Sequence, residues 1–426
     1  MKLDLIPVPM RLPLKFGAET VHSIRIAHVE LSAYGADGIG ETPLSAGWAW
    51  PSPDLSFRYR EDMMCEFCRF LADRFPAPGS DPMSSGYDFL CNVLPGLHRE
   101  FDEAQHTSLP LLAALICASA FDIAVHDAFG KSLGLPVYRT YNAQYMKQDL
   151  AAFYGDDSFA GKYPQDFFVA DPPSVLPVWH LVGGKDLLRE SDRTGAEPED
   201  GYPVSLEKWI ERDGLKCLKI KLTGTDPEWD LARLTAVGHI AAEYGCDALS
   251  PDFNCLVHDP AYVNGILDRL KRQDPGTFGR LLYVEQPFPY DLEANRIDVH
   301  SCSERKPLFM DESAHDWKLV RLGHQLGWTG VALKVCKTQT GALLSACWAK
   351  AHGMQLMVQD LTNPMLAMLP HVLLAQQIGT IRGVECNAPQ FYPEVSLPFE
   401  RKYPGLYERR NGVVDLRAIT GPGFGG

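Results

Sequence analysis

Seven ionisable residues recur along the second half of the chain at intervals of 23 to 33 positions: Lys221, Asp252, Glu285, Asp311, Lys334, Asp360 and Glu385. Each closes a short apolar run: LKIKL, SPDFN, YVEQPF, FMDES, VALKV, MVQD and VECN. Such an interval is one strand plus one helix, so successive residues return to the same end of a set of parallel strands. Asp252, Glu285 and Asp311 fall on consecutive strands. Three carboxylates converging on one point raise one another's pKa unless a cation lies between them. Oxygen donors of this kind suit a hard divalent ion, with Mg2+ expected, Mn2+ as the alternative, and positions left for substrate and water.

The lysines flank the acids. In LKIKL, Lys219 and Lys221 alternate with Leu218, Ile220 and Leu222 and therefore share a face. Taken alone, this is a half-exposed strand with a polar outer side. Next to the acids it reads differently: a second ammonium disfavours the charged form of Lys221 and lowers its pKa towards that of a base, while Lys219 pairs with a substrate carboxylate. Lys334 follows the acids and reaches the same point from the opposite side, or else forms an ion pair with one of them.

These residues need elements to carry them. From Leu176 onward, strand and helix patterns alternate through LPVWHLVGG, LKCLKIKL, DALSPDFN, LLYVEQPF, KPLFMDES, GVALKV, MQLMVQD and RGVECN. Eight such strands are what a closed barrel needs, and its carboxyl end is where barrel enzymes keep their chemistry. Four parts are expected: an α+β domain over 1–140, a connecting insert or lid over 141–175, a barrel over 176–400, and a segment over 401–426 that returns to the first domain. LPLLAALICASAF, Leu109 to Phe121, reads as a buried helix too short to cross a bilayer. ASAFDIAVHDAFGKSLGLP reads as a helix ended by Gly130 and Gly134. The polar loop KDLLRESDRTGAEPEDGYP follows the first barrel strand. Its Arg189 and Arg193 either meet an anionic substrate or are simply solvated.

Composition narrows the partners. With 426 residues, 46% hydrophobic and 22% charged, the chain has ample material for a core, and its net charge of −14 disfavours nucleic acid and anionic membranes. The opening MKLDLIPVPMRLPLKF mixes prolines and charges into its apolar residues, unlike an export signal. Its 11 scattered cysteines are expected to be reduced thiols of a cytoplasmic protein, with the Cys65/Cys68 pair packed in a helix. GPGFGG reads as a loop rather than a nucleotide fingerprint, and His371 as a packed core residue. No nucleophile-elbow motif supports a serine triad.

KIK, PDFN, VEQP, MDES and LKVCKTQTG, together with GIGETP, FDIAVHDAFGKSLGLPVY and GPGFGG, resemble the enolase superfamily, in particular the mandelate racemase/muconate lactonizing enzyme family and its muconate-lactonizing subgroup. The resemblance covers nearly the whole chain. It implies a (β/α)7β TIM-like barrel of the α/β class with an N-terminal α+β capping domain, and a Mg2+-dependent removal of a proton next to a carboxylate through an enediolate. It further implies that Asp252, Glu285 and Asp311 bind the ion, that Lys221 is the base on one face, and that Lys334 is acid or base on the other. Strand parity alone does not choose between Asp311 and Glu312. Asn254 and Glu312 are expected to support the ligands. The seventh strand has no histidine, which disfavours the mandelate racemase branch, and carries Asp360 instead. The eighth reads ECN, keeping with Glu385 and Asn387 only half of the acidic pair that dipeptide epimerases use to hold an ammonium. The expected reaction is racemisation or epimerisation, or else cycloisomerisation or dehydration, of a small carboxylate by a homo-oligomer. A metal-dependent barrel hydrolase and a non-catalytic binding barrel are the alternatives. Substrate choice is expected to rest with the stretch near Lys15 to His22 and with the loops above the barrel.

Overall fold

The alternating segments of the second half form short parallel strands, and those of the first half a long antiparallel hairpin. In this computed structural model, which describes residues 1–16 and 19–425, β1 (Lys2–Phe16), β2 (Glu19–Ala33) and β3 (Ala36–Leu44) make a three-stranded antiparallel sheet. The helix Leu111–Leu133 lies across it. Close contact is possible because the sheet offers glycines: a Cβ on Gly40 would stand 1.9 Å from the Ala120 carbonyl oxygen, and one on Gly38 2.0 Å from that of Ala124. The Lys15–His22 stretch includes residues 17 and 18, which lie outside the described residues.

The barrel strands are β4 (Val175–Val182), β5 (Cys217–Lys221), β6 (Ala248–Asp252), β7 (Val284–Glu285), β8 (Leu308–Met310), β9 (Gly330–Leu333), β10 (Gln355–Val358) and β11 (Val384–Glu385). They pair in the order β10-β9-β8-β7-β6-β5-β4-β11. β10 and β11 are the two ends of this order, and the sheet curls so that the Ile381 N–H, three residues before β11, donates to the Leu356 carbonyl of β10 at 2.9 Å. Crossover helices cover the outside, so Leu218 and Ile220 are buried on that side of β5 and Lys219 is buried on the other. A half-exposed strand is therefore excluded for LKIKL.

Several boundaries differ from the sequence reading. The two apolar segments between 109 and 134 are one helix of 23 residues, buried from Leu112 through Gly130. It is long and apolar enough to cross a membrane by length and composition, but its apolar surface is spent inside the protein. Gly130 does not end it. The close passage of Gly423, 2.8 Å from a Cβ at that position, explains the glycine, and the helix stops at Gly134 with φ 66°. A further strand, β12 (Val413–Asp415), pairs antiparallel with β4. Beyond it the chain reaches the first domain, where the Phe424 N–H donates to Asp127 at 2.9 Å.

Residues 141–175, expected as a connection or a lid, fold into short helical turns on the barrel's flank. The Tyr154 hydroxyl donates to the Leu344 carbonyl at 2.7 Å, Lys350 donates to the Phe167 carbonyl at 2.6 Å, and Phe153 and Phe159 are buried. None of residues 141–175 is among those lining the cavity between the barrel's charged groups and Trp48.

Candidate active site

Strand register builds the site. Lys221 pairs with Asp252 and Asp252 with Glu285, so three of the seven residues stand in one row across β5, β6 and β7. Asp311 follows β8 directly, Lys334 follows β9, and Glu385 closes β11. Beneath them an apolar layer of Trp179, Cys217, Ala248, Tyr283, Phe309 and Met357 plugs the barrel. Two residues further along the strands, on the same interior face, come Lys219, Glu285, Asp311 and Gln359. The charged groups thus rest on a water-excluding floor.

Lys219 and Lys221 do share a face. Both reach Asp252 Oδ2, at 3.4 and 2.5 Å. Their surroundings nevertheless differ. Lys219 lies between Glu285 (2.7 Å) and Glu385 (3.1 Å) and also donates to Gln359 at 3.3 Å. Burial pulls its pKa down, but Glu285, Glu385 and Asp252 outweigh that and hold it well above the usual lysine value. On the far side, Lys334 meets Asp311 at 3.1 Å and donates to the Asp360 carbonyl at 3.2 Å. Burial opposes its charge, and Asp311 again prevails and raises its pKa. The ion pair weighed for Lys334 is present, and it is made with one of the three proposed ligand acids.

The acids carry more charge than the lysines balance. Asp252, Glu285, Asp311, Glu312, Asp360 and Glu385 face Lys219, Lys221, Lys334 and Lys337, six acids against four amines, which makes an excess of two negative charges when all of them are ionised. Burial and then Asp252 push the Glu285 carboxyl well above the carboxylate range; burial and then Asp311 push up Glu312; burial and then Glu385 push Asp360 up to about 7. Asp252 and Asp311 are held below the usual range despite burial, by Lys221 and Lys219 in one case and by Lys334 and Lys337 in the other. Glu285 Oε1, Asp311 Oδ1 and Glu312 Oε2 are buried without a well-aligned hydrogen bond; Lys219 stands 2.7 Å from the first and Lys337 3.5 Å from the second. Clustered acids in excess of amines, with carboxylate oxygens short of hydrogen bonds, are the chemistry a divalent ion satisfies. Among the described residues no three acids are gathered as a finished ligand set, because lysine amines stand between them. Of the three acids expected to converge, Asp252 and Glu285 share a row, and Asp311 lies just past β8, two residues beyond that row.

The supporting residues are in place. The Asn254 N–H donates to Asp252 Oδ1 at 2.9 Å, and its side-chain amide to Glu312 Oε1 at 3.1 Å. Asn387 donates through its backbone to Asp360 at 2.8 Å and through its side chain to Glu385 at 2.5 Å. Four contributors were not foreseen. Lys337 is buried, donates to the Asp311 carbonyl and lies 3.5 Å from Asp311 Oδ1. Gln359 donates to Glu285 Oε2. Gln286 accepts the Asp311 N–H at 2.7 Å and the Ser313 hydroxyl at 2.8 Å, fixing the turn after β8. Trp48, from the first domain, donates to Glu312 at 2.9 Å and lays its ring 4.6 Å from the Lys334 amine. The second lysine of LKVCK was a readable signal for Lys337; nothing local marked Trp48.

Leu14, Trp48, Leu181, Leu361 and Thr362 roof these groups over a cavity of about 30 Å³, the room of roughly one water. Arg189 and Arg193 do not reach it. They pair with Glu243 at 2.6 Å and Glu190 at 2.8 Å, which removes the substrate contact weighed for them. His371 is buried and hydrogen-bonds the Glu385 carbonyl at 2.7 Å.

The family model described as Enolase C-terminal domain-like matches residues 202–426. Among curated proteins the chain is 25% identical over 252 residues to an aromatic dipeptide epimerase of Herpetosiphon aurantiacus, covering 58% of this chain and 66% of that protein. It is 20% identical over 282 residues to muconate cycloisomerase 1 of Rhodococcus opacus, covering 65% and 59%. The match therefore spans just under two thirds of the first and about three fifths of the second. In structure, a dipeptide epimerase from Enterococcus faecalis V583 complexed with Mg and L-Leu-L-Tyr superposes with a TM-score of 0.65 at 17% identity, covering 100% of this chain and 98% of that one. Epimerases and a cycloisomerase stand together among the relatives, so the likeness does not single out a subgroup. With the barrel and its ring of acids and amines described, and with the family model spanning more than half its length, the chain belongs to the Enolase C-terminal domain-like family.

Proposed function

We propose that the protein removes and returns the proton next to a carboxylate, with a divalent ion, Mg2+ in the first instance, held by Asp252, Glu285 and Asp311. The observation that carries this reading is a largely buried ring of six acids against four lysines, in which burial and like charge push Glu285, Glu312 and Asp360 towards their neutral forms and three carboxylate oxygens lack a hydrogen bond. When bound, the ion supplies positive charge beside the carboxylate oxygens on which charge accumulates as the proton leaves. Lys219, gripped by Glu285 and Glu385, stays charged and binds the substrate carboxylate. Lys221, whose one ion-pair partner among the described residues is Asp252, is the base on one side once that carboxylate is engaged elsewhere. Lys334 faces it from the Asp311 side and delivers or takes the proton on the opposite face. The apolar floor and the roof exclude water that would compete for that proton.

Two opposed amines support racemisation or epimerisation of a small carboxylate, and the aromatic dipeptide epimerase makes dipeptides the first substrates to try. A cycloisomerisation or elimination that uses one amine is the second reading, favoured by the likeness to muconate cycloisomerase 1. Incubation with Mg2+ and 2H2O against dipeptides, N-acyl amino acids, sugar acids and muconate is the test. Deuterium is expected at the α-carbon. Lys221→Ala and Lys334→Ala are each expected to slow epimerisation by about 10²-fold or more, and a chelator to stop it. Metal-dependent hydrolysis that survives both substitutions would instead support a barrel hydrolase.

A further inference from the structure

Lys334 and Lys337 stand on a segment gripped from outside the barrel. On the cap's long helix, Ser119, Asp122 and His126 are spaced to share one face. Within an otherwise apolar, buried helix they form a polar stripe aimed at the start of the barrel helix Gln339–Ala351. The Ser119 hydroxyl donates to the Val335 carbonyl at 2.8 Å, one residue past Lys334. Asp122 accepts the Thr340 N–H at 2.9 Å and the Thr340 hydroxyl at 2.8 Å, capping that helix from another domain. His126 Nε2 meets the Thr340 hydroxyl at 2.8 Å, the Tyr141 hydroxyl meets His126 Nδ1 at 2.9 Å, and Gln339 donates to Tyr138 at 3.0 Å and Tyr141 at 3.3 Å.

The chain of donors has one consistent direction. An ionised Asp122 can only accept, so Thr340 donates to it; Thr340 therefore accepts from His126 Nε2–H, and Nδ1 accepts from Tyr141. Every member is buried, and Gly86 passes so close that a Cβ there would stand 2.0 Å from the Thr340 hydroxyl. Inside this grip Thr338 holds φ 82° and ψ 147°, a backbone region that is essentially glycine's, immediately after Lys337. A β-branched residue keeps that conformation only where its surroundings over-determine it.

We propose that Ser119, Asp122 and His126 are positioning residues for the Lys334–Lys337 segment, so that the cap sets proton transfer on one face of the substrate and leaves the Lys221 face to the barrel. The proposal rests on the function given above and adds a dependence on sidedness. Thr340→Val removes the hydroxyl at the centre of the network, Thr340→Ser keeps it, and Ser119→Ala removes only the hydrogen bond to Val335. The probes are L-Ala-L-Phe and L-Ala-D-Phe with full-length protein, Mg2+ and 2H2O, and Lys334→Ala identifies the epimer whose α-hydrogen faces that lysine. Thr340→Val is expected to slow exchange from that epimer by about tenfold or more and from the other by about twofold at most, with Thr340→Ser restoring it. Equal slowing from both epimers, or none, overturns the proposal.

A second measurement needs no turnover. Amide hydrogen exchange over Lys334–Thr340 is expected to speed up in Thr340→Val and in Ser119→Ala, to stay slow in Thr340→Ser, and to leave Cys217–Leu222 unchanged. Protection that persists over Lys334–Thr340 in both overturns the proposal. A wild-type protein that exchanges neither dipeptide counts against dipeptides in the functional reading, while the amide measurement still decides this one.

Discussion

Among the described residues Lys219 sits among three carboxylates and Lys221 pairs with one, and the proposed division of work between them, a charged anchor and a base, rests on that inequality. The pair and its shared face were legible in LKIKL because strand parity is local. Their burial was not, since a strand covered on both sides by distant helices looks, in isolation, like one with a wet face. Lys337 escaped notice because it lies on the turn after β9, where strand parity no longer applies. His371 was readable as a core residue, and its setting has a consequence for stability. Burial holds its pKa down to about 4, whereas an unfolded histidine titrates near 6.5. Between those values the unfolded chain binds the extra proton, so this contribution is complete above about pH 6.5 and is lost as the pH falls towards 4. Urea unfolding between pH 7 and pH 4.5 is expected to show stability falling with acid, and His371→Gln to make that fall shallower; an unchanged slope would contradict the assignment.

At the scale of elements, the barrel strands were readable because each ends an apolar run with a charged residue and is followed by a helix with its own period. Their lengths were less so: β7 and β11 are two residues each, as the row of side chains is set by register and not by strand length. Gly130 was misread as a stop because its reason, the passing Gly423, lies almost three hundred residues away. β12 has three residues and no local signal; its partner β4 makes it a strand. The packing of β3 on the long helix gives a sharp test. Gly40→Ala puts a methyl against the Ala120 carbonyl and, through overpacking, is expected to cost about 1–3 kcal/mol in denaturant unfolding. A neutral result would mean that sheet and helix are further apart than described.

Across the whole molecule, cap and barrel meet at the chemistry. Trp48 reaches Glu312 and Lys334 from one domain to the other, and the polar stripe of the long helix grips the segment that carries Lys334. A second tie joins them further out, where β1 breaks register with β2 between Pro9 and Leu14 and Arg11 reaches Asp200 in the loop after β4 at 2.5 Å. None of these ties was legible in the sequence, because each joins residues that only the folded chain brings together. The excess of acids over amines in the ring is tested most directly by metal binding. Titration with Mn2+, followed by the loss of the free-ion magnetic resonance signal, is expected to give one site per chain, weakened by about tenfold or more in each of Asp252→Asn, Glu285→Gln and Asp311→Asn. A protein that binds no ion, or one that binds it equally well in all three variants, would contradict it.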